Sequence, residues 1–380
     1  MGSPTPGSAP GRPPRSSPSK EVRPIGGSSR LPCVRRSCRV RYGGTPRPSS
    51  GGPMTAEIER LAREARGRIS DRILQTPLEE VPSRFLPEGV ERLWLKRECC
   101  QLSGSFKARG AAHFLDRLLE REDAAGVVTY SSGNHGRAVA EAAAGRGIAA
   151  VVTAPDSIDP SKAAAIEAAG GELVRVGSSS VERYQRAQEI ASERGWPLVP
   201  PFDHDWIISG QGTVALEVLE EIGTVDHFWV PVGGGGLSSG CAAVLHHNAP
   251  DCQLHAVEPE DAAPFARSLQ AGERVTLEST ASEADGLLPL AIGERNWRLL
   301  RASDARSVTI SEEQLVASLV RLRQQLSVPC EPSGAVSVAP LLAPAGGAPL
   351  PSGRHVAVIS GGNVDDERLE RLLSAAPRLP

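Results

Sequence analysis

From residue 126 onward, short β-branched and apolar runs alternate with longer stretches whose apolar positions recur at helical spacing. The runs "GVVTY" (126–130), "IAAVVTA" (148–154) and "ELVRV" (172–176) read as strands. Between and after them, "RAVAEAAAGRG" (137–147), "PSKAAAIEAAGG" (160–171) and "VERYQRAQEIASERG" (181–195) read as helices. The pattern resumes with strand "HFWVPV" (227–232), helix "LSSGCAAVLHH" (237–247), and strands "QLHAV" (253–257) and "HVAVI" (355–359). Strands apolar on both faces, each followed by a helix, predict an α/β protein with parallel sheets covered on both sides. Ligands bind such sheets beyond the carboxyl ends of the strands. Three glycine-rich turns lie there: "SSGNHG" (131–136), "GGGG" (233–236) and "SGGN" (360–363).

The first 53 residues lack either period. They are rich in Pro, Gly, Ser and Arg, and are predicted to be a disordered basic tail. The tail holds ten Arg or Lys against Glu21, so within a net charge of -3 the remaining body is acidic. An acidic body argues against a nucleic-acid footprint. No apolar run approaches the roughly 18 residues a membrane span requires. The seven cysteines include no C-x-x-C pair, which predicts a reducing, cytoplasmic location. An Arg- and Ser-rich, acid-poor stretch also fits an organelle transit peptide. The only methionines are Met1 and Met54, and Met54 stands where helical periodicity begins, so the expected natural start is Met54.

The turns suggest chemistry. Four successive glycines, Gly233, Gly234, Gly235 and Gly236, between a strand and a helix leave no room for a linker. Their N–H groups would make an anion nest at a helix start, with Ser238 and Ser239 adding hydroxyls. The loop is neither G-x-G-x-x-G nor G-x-x-x-x-G-K-[ST], which argues against NAD and ATP but not against another phosphorylated cofactor. In "SGSFKARGA" (103–111), Lys107 precedes a helix-forming run. It is either a solvated surface lysine or a buried amine of lowered pKa suited to Schiff-base chemistry, and the nonapeptide alone leaves both open.

A phosphate cradle, such a lysine and an α/β body together suggest pyridoxal phosphate. The chain resembles the serine/threonine dehydratase group of fold-type II pyridoxal-phosphate enzymes, which also contains serine racemase. The resemblance is carried in order by "LKRECCQLSGSFKARGA" (95–111), "SSGNHGRAVA" (131–140), "FDHDWIISGQGTVALEVL" (202–219), "PVGGGGLSSG" (231–240), "VEP" (257–259), "EPSGAV" (331–336) and "SGGNVD" (360–365). It implies two α/β domains with the cofactor between them: a large one of residues 54–120 and 205–376, and a small one of residues 121–204. It implies that Lys107 forms the Schiff base, Phe106 packs on the cofactor ring, and Asn134 bonds the ring O3′. Gly233 to Gly236 with Leu237 would hold the phosphate, and Ser360 would meet the pyridine nitrogen. Ser131, Ser132, Asn134 and His135 would hold the substrate carboxylate, and Ser132 would serve as the second proton donor that racemisation needs.

The implied reaction is dehydration and deamination of L-threonine or L-serine to 2-oxobutanoate or pyruvate and ammonia. Serine racemase and 3-hydroxyaspartate dehydratase activity remain open in the same site. The partners implied are a small hydroxy amino acid and a second copy in a homodimer. Family members hold Mg²⁺ or Ca²⁺ with a Glu, a carbonyl and an Asp. Here Glu258 and Ala262 match, but Pro264 stands in place of the Asp. The segment "EADGLLPLAIGERNW" (283–297) also departs from the family after its Asp-Gly. The chain stops soon after the "SGGN" strand, so the resemblance implies no isoleucine-binding regulatory domain.

Overall fold

The stretch PMTAEIERLAREARGR puts Ile58, Leu61, Ala62 and Ala65 on one side, and these, with Thr55, are the buried residues of helix α1 (Pro53–Arg68). The computed structural model describes residues 52–131, 133–177, 179–344 and 350–375. The expected tail therefore falls, but for its last two residues, outside the described residues, and so does Ser132. Met54 lies within α1 and packs on Ile58, Ile208, Ala243 and Leu299.

After α1 come β1 (Leu78–Glu80), β2 (Val90–Lys96) and α2 (Lys107–Leu119). The chain then builds β3 (Gly126–Tyr130), α3 (Asn134–Ala144), β4 (Ala149–Ala154), α4 (Pro160–Ala168), β5 (Gly171–Arg175), α5 (Ser180–Arg194) and β6 (Leu198–Val199). Helix α6 (Asp205–Ile222) leads back to β7 (His227–Pro231), α7 (Gly236–Asn248), β8 (Gln253–Pro259), α8 (Pro264–Ala271), α9 (Glu294–Ala302), β9 (Arg306–Ile310) and α10 (Glu312–Gln324). Two short helices, α11 (Pro332–Ala335) and α12 (Ala339–Leu342), precede β10 (Gly353–Val358) and α13 (Asp366–Ala375).

The strands form two sheets, one of six in the order β1-β2-β10-β7-β8-β9 and one of four in the order β5-β4-β3-β6. Every pairing is parallel except that of β1 with β2. The parallel sheets are as expected, and the antiparallel edge lies in a part of the chain for which no strand was predicted. It arises because β1 and β2 are joined without a crossover helix.

Alternation along the strands divides the core of the larger sheet. Phe228, Val230, Leu254, Ala256, Val356 and Val358 join one apolar cluster, with α6 and α7. Trp229, Val257, Ala357 and Ile359 join another on the opposite face, with α10 and α11. Both faces are buried, as continuous apolar strands require. At the amino ends of β7, β8 and β10, His227, His255 and His355 lie against one another and Trp229. His227 Nδ1 is 3.2 Å from His255 Nε2, and Trp229 Nε1 donates to His355 Nδ1 at 3.1 Å. The glycine turns all emerge at the other ends of the strands.

Candidate active site

Four chain segments far apart in sequence meet at the carboxyl ends of β3, β7 and β10. The loop before α2 is zipped to the "SGGN" turn: Phe106 N–H donates to Ser360 O at 3.1 Å and Gly362 N–H to Gly104 O at 2.9 Å. Ser105 and Gly361 form an antiparallel bridge between them. Gly104 has a φ of 73°, and a Cβ there would lie 2.1 Å from Asn363 Oδ1, so only glycine fits. This zipper fixes Lys107 as the first residue of α2.

Lys107 is half-buried, and its Nζ donates to Pro201 O at 2.8 Å. Nζ also stands 5.1 Å from the centroid of the Phe106 ring. Burial of the ammonium end lowers its pKa to about 8. This setting is not that of a solvated surface lysine. Two residues back from Pro201, the Val199 carbonyl faces His135 Nε2 at 3.4 Å. A carbonyl only accepts, so Nε2 carries the hydrogen and Nδ1 presents a lone pair, buried and without a hydrogen-bond partner among the described residues. Burial first, then the Lys107 charge, push the His135 pKa down to about 3, so its imidazole is neutral.

Asn134 opens α3 and its amide is held at both ends: Nδ2 donates to Glu331 Oε1 at 2.7 Å, and Oδ1 accepts from Asn363 Nδ2 at 2.8 Å. Ser131 accepts from Gly133 N–H on its Oγ at 3.1 Å, closing the turn. Ser360 is buried at the end of β10, its Oγ 3.3 Å from Ser333 O.

The four glycines join β7 to α7. Gly235 has a φ of 93° and caps the helix, and a Cβ on Gly234 would lie 2.2 Å from the Phe202 ring. The first-turn N–H groups of α7, those of Gly236, Leu237 and Ser238, have no acceptor within the helix. The hydroxyls of Ser238 and Ser239 are turned away, donating to Gly235 O at 3.0 and 2.7 Å, so the cradle is made of backbone alone. On its other side, a Cβ on Gly233 would meet Gly286 O and Leu287 Cα, each at 3.2 Å. The departing segment after residue 283 thus packs on the cradle.

A model of the family described as pyridoxal-phosphate dependent enzyme matches residues 69–361. The chain belongs to this family. Among relatives of the pyridoxal-phosphate enzyme, the serine racemase of Schizosaccharomyces pombe is 36% identical over 76% of this chain and 88% of its own. The L-threo-3-hydroxyaspartate ammonia-lyase of Saccharomyces cerevisiae is 33% identical over 82% of this chain and 94% of its own. The crystal structure of a T.th. threonine deaminase superposes with a TM-score of 0.74 at 37% identity, covering 80% of this chain and 98% of that one. The fold is that of the fold-type II enzymes, and the activities of the relatives are those of ammonia-lyases and racemases acting on amino acids.

The donor set fits pyridoxal phosphate. An amine of lowered pKa, an amide, a hydroxyl and a helix start that offers backbone N–H groups lie at the same strand ends, and each would suit a different part of that cofactor. Of the expected cation ligands, Glu258 is engaged by backbone N–H groups. Glu258 accepts from Phe265 N–H and Ala266 N–H, both at 2.8 Å, and so caps α8, which Pro264 begins. Ala262 N–H is bonded to Pro259 O. Among the described residues no group of three or more His, Cys, Asp or Glu is placed to hold a metal ion. No helix among them is long and apolar enough to cross a membrane.

Three features of the site were not foreseen. The Pro201 carbonyl that parks Lys107 is a backbone group and leaves no mark in sequence. Glu331 carried no role, although a lone acid within the apolar stretch "VPCEPSGAVSV" was a usable signal. Lys162 of α4 pairs with Asp285, which Arg368 of α13 also contacts at 3.0 Å. These charges sit beside the asparagine loop: a Cβ on Gly133 would meet Lys162 Cδ at 3.6 Å.

Proposed function

We propose that this chain removes the β-hydroxyl and the α-amino group of L-threonine and L-serine, releasing 2-oxobutanoate or pyruvate and ammonia. The observation that carries the reading is the Lys107 amine, half neutral near pH 8, at the junction of the asparagine loop, the glycine cradle and Ser360. Bound pyridoxal phosphate supplies an electron sink that acidifies the substrate Cα–H. Lys107 Nζ then takes the Cα proton, which a permanently charged ammonium could not do. The backbone and side-chain donors of Ser131, Asn134 and the residues beside them hold the substrate carboxylate. His135 contributes its backbone and a neutral ring. Asn134 would bond the ring O3′, Gly233 to Gly236 with Leu237 would hold the phosphate, and Ser360 would meet the ring nitrogen. A neutral hydroxyl at that nitrogen leaves more of the developing charge at Cα, which favours loss of a β-substituent. The same reading divides the body into residues 54–120 with 205–376, and residues 121–204. The separation of the strands into two sheets supports that division.

A panel of L-threonine, L-serine, D-serine and threo-3-hydroxyaspartate tests the proposal, each followed for 2-oxo acid and for enantiomer exchange. We expect 2-oxobutanoate and pyruvate as the main products. Racemisation of serine faster than its elimination would assign the chain to the racemases instead. Preference for 3-hydroxyaspartate would assign it to that branch of the lyases.

A further inference from the structure

Arg137, Asn363, Asn134 and Glu331 form one directional chain of hydrogen bonds. Arginine has no acceptor, so its contact to Asn363 at 3.2 Å must end on Oδ1. That leaves Asn363 Nδ2 as the donor, to Ser103 O and to Asn134 Oδ1, each at 2.8 Å. Asn134 Oδ1 is thereby consumed, and Nδ2 points the other way, to Glu331 Oε1 at 2.7 Å. A donor-only group at one end and an acceptor at the other leave the Asn134 amide a single consistent orientation. One hydrogen on Nδ2 remains for a further acceptor.

The carboxyl end of this chain is built in. Glu331 is 5% exposed and its side chain abuts Gly361, where a Cβ would lie 2.3 Å from Oε1. Its backbone N–H donates to Gly361 O at 3.1 Å, so it sits between Asn134 and the residue that follows Ser360. Among the described residues no cation pairs with it, and Lys162 and Arg368 are both turned to Asp285.

We propose that Glu331 is a positioning residue that locks the Asn134 amide so that an N–H, not the carbonyl oxygen, faces the cofactor oxygen O3′. The inference rests on the pyridoxal-phosphate reading of the site. With the amide flipped, the Asn134 N–H would oppose the Asn363 Nδ2 donor, and its oxygen would face an acceptor oxygen of Glu331. Burial, with Asp285 adding to it, raises the Glu331 carboxyl to about 7. Protonated or not, it keeps an acceptor oxygen for Asn134, so the lock requires an acceptor at that point and not a charge.

The test is the affinity of the purified apoprotein for pyridoxal phosphate, read by quenching of intrinsic fluorescence, in wild type and three variants. Glu331→Gln keeps an acceptor at the same reach and should bind within about threefold of wild type. Glu331→Asp retracts the acceptor and Glu331→Leu removes it, and each should bind at least about tenfold more weakly, the worth of one buried hydrogen bond. A role in charge alone would place Asp nearest wild type and Gln with Leu, and that order would overturn the proposal. So would wild-type affinity in both Asp and Leu. Circular dichroism of each apoprotein separates weak binding from failure to fold, and if Leu does not fold, the order of Gln and Asp decides. Wild type that does not bind the cofactor at all would instead overturn the reading of the site.

Discussion

A lysine that loses its proton near pH 8 has been moved there by its surroundings. Among the described residues no carboxylate pairs with Lys107 Nζ. Its partner is a neutral carbonyl, and burial lowers its pKa without any opposing charge. The neutral fraction of such an amine grows as pH rises and is nearly complete a unit above the pKa. Capture of pyridoxal phosphate by the apoprotein should therefore quicken from pH 6.5 through 8 and level off above about 9, measured by stopped-flow absorbance. Lys107→Ala should abolish turnover and the visible absorbance of the bound cofactor while leaving circular dichroism unchanged. Ammonia release near the wild-type rate from that variant would mean that another lysine carries the chemistry.

At the scale of elements, α2 is held by charge. Arg109, two residues past Lys107, donates to both oxygens of Glu98 at 2.7 Å and reaches Glu217 at 2.7 and 2.8 Å. Lys96 completes the cluster, 2.6 Å from Glu217, and all four side chains are fully buried. Two cations and two anions from β2, its following turn, α2 and α6 thus cancel inside the protein. Such a cluster is weak evidence for stability but costly to break, because removing one member strands a charge. Arg109→Ala should cost about 3–5 kcal/mol in urea unfolding. A loss below about 1 kcal/mol would show that water or a shifted side chain relieves the two carboxylates.

The same scale shows what sequence could and could not convey. Strand β3 and its glycine turn are apolar and then abruptly polar, so the site's position at the strand ends was legible. Strand β6 has only two residues, too few to show a period, yet it and the carbonyls beyond it orient both Lys107 and His135. Strand β9 is partly exposed and lies at a sheet edge, so it lacks the apolar run that marked its neighbours. The bond from Asn134 to Glu331 joins residues 197 positions apart, a distance over which only the fold makes the pairing. The cluster around Arg109 was hidden because charged residues in sequence read as surface until burial is known.

For the whole molecule, buried titrating groups set a pH window for stability. His355 is lowered to about 4, His113 to about 4 and His135 to about 3, and His255 and His227 are also lowered, all chiefly by burial. Around the strand-end trio the charged neighbours are Arg306 and Asp226. Below about pH 6.5 the unfolded chain takes up protons these imidazoles refuse, so stability falls as pH drops toward 4. Glu331 and Glu258 act in the other direction, raised to about 7 and about 8 by burial. The folded chain keeps protons there that the unfolded chain releases, so their contribution is lost as pH rises from about 4.5 through 8. With His204, also lowered by burial, six histidines outweigh the two carboxyls on the acid side, and above it the carboxyls lead until Lys107 begins to oppose them near pH 8. Thermal unfolding should therefore show a maximum near pH 6.5. His355→Gln should flatten the acid limb and Glu258→Gln the limb above pH 6.5. A midpoint independent of pH from 4.5 to 8 would contradict this account.

The closeness of Gly234 to the Phe202 ring limits the paths by which this enzyme can diverge. Any side chain at 234 must enter space the phenyl group already fills, and the backbone of Phe202 also shields Gly236, where a Cβ would lie 3.0 Å from its carbonyl oxygen. A lineage that enlarges residue 234 first collides with the ring, and one that trims residue 202 first opens a hole beside the cradle. Change at either position becomes tolerable only once the other has changed. The two are bound to a shared history, and descendants should carry them altered together or not at all.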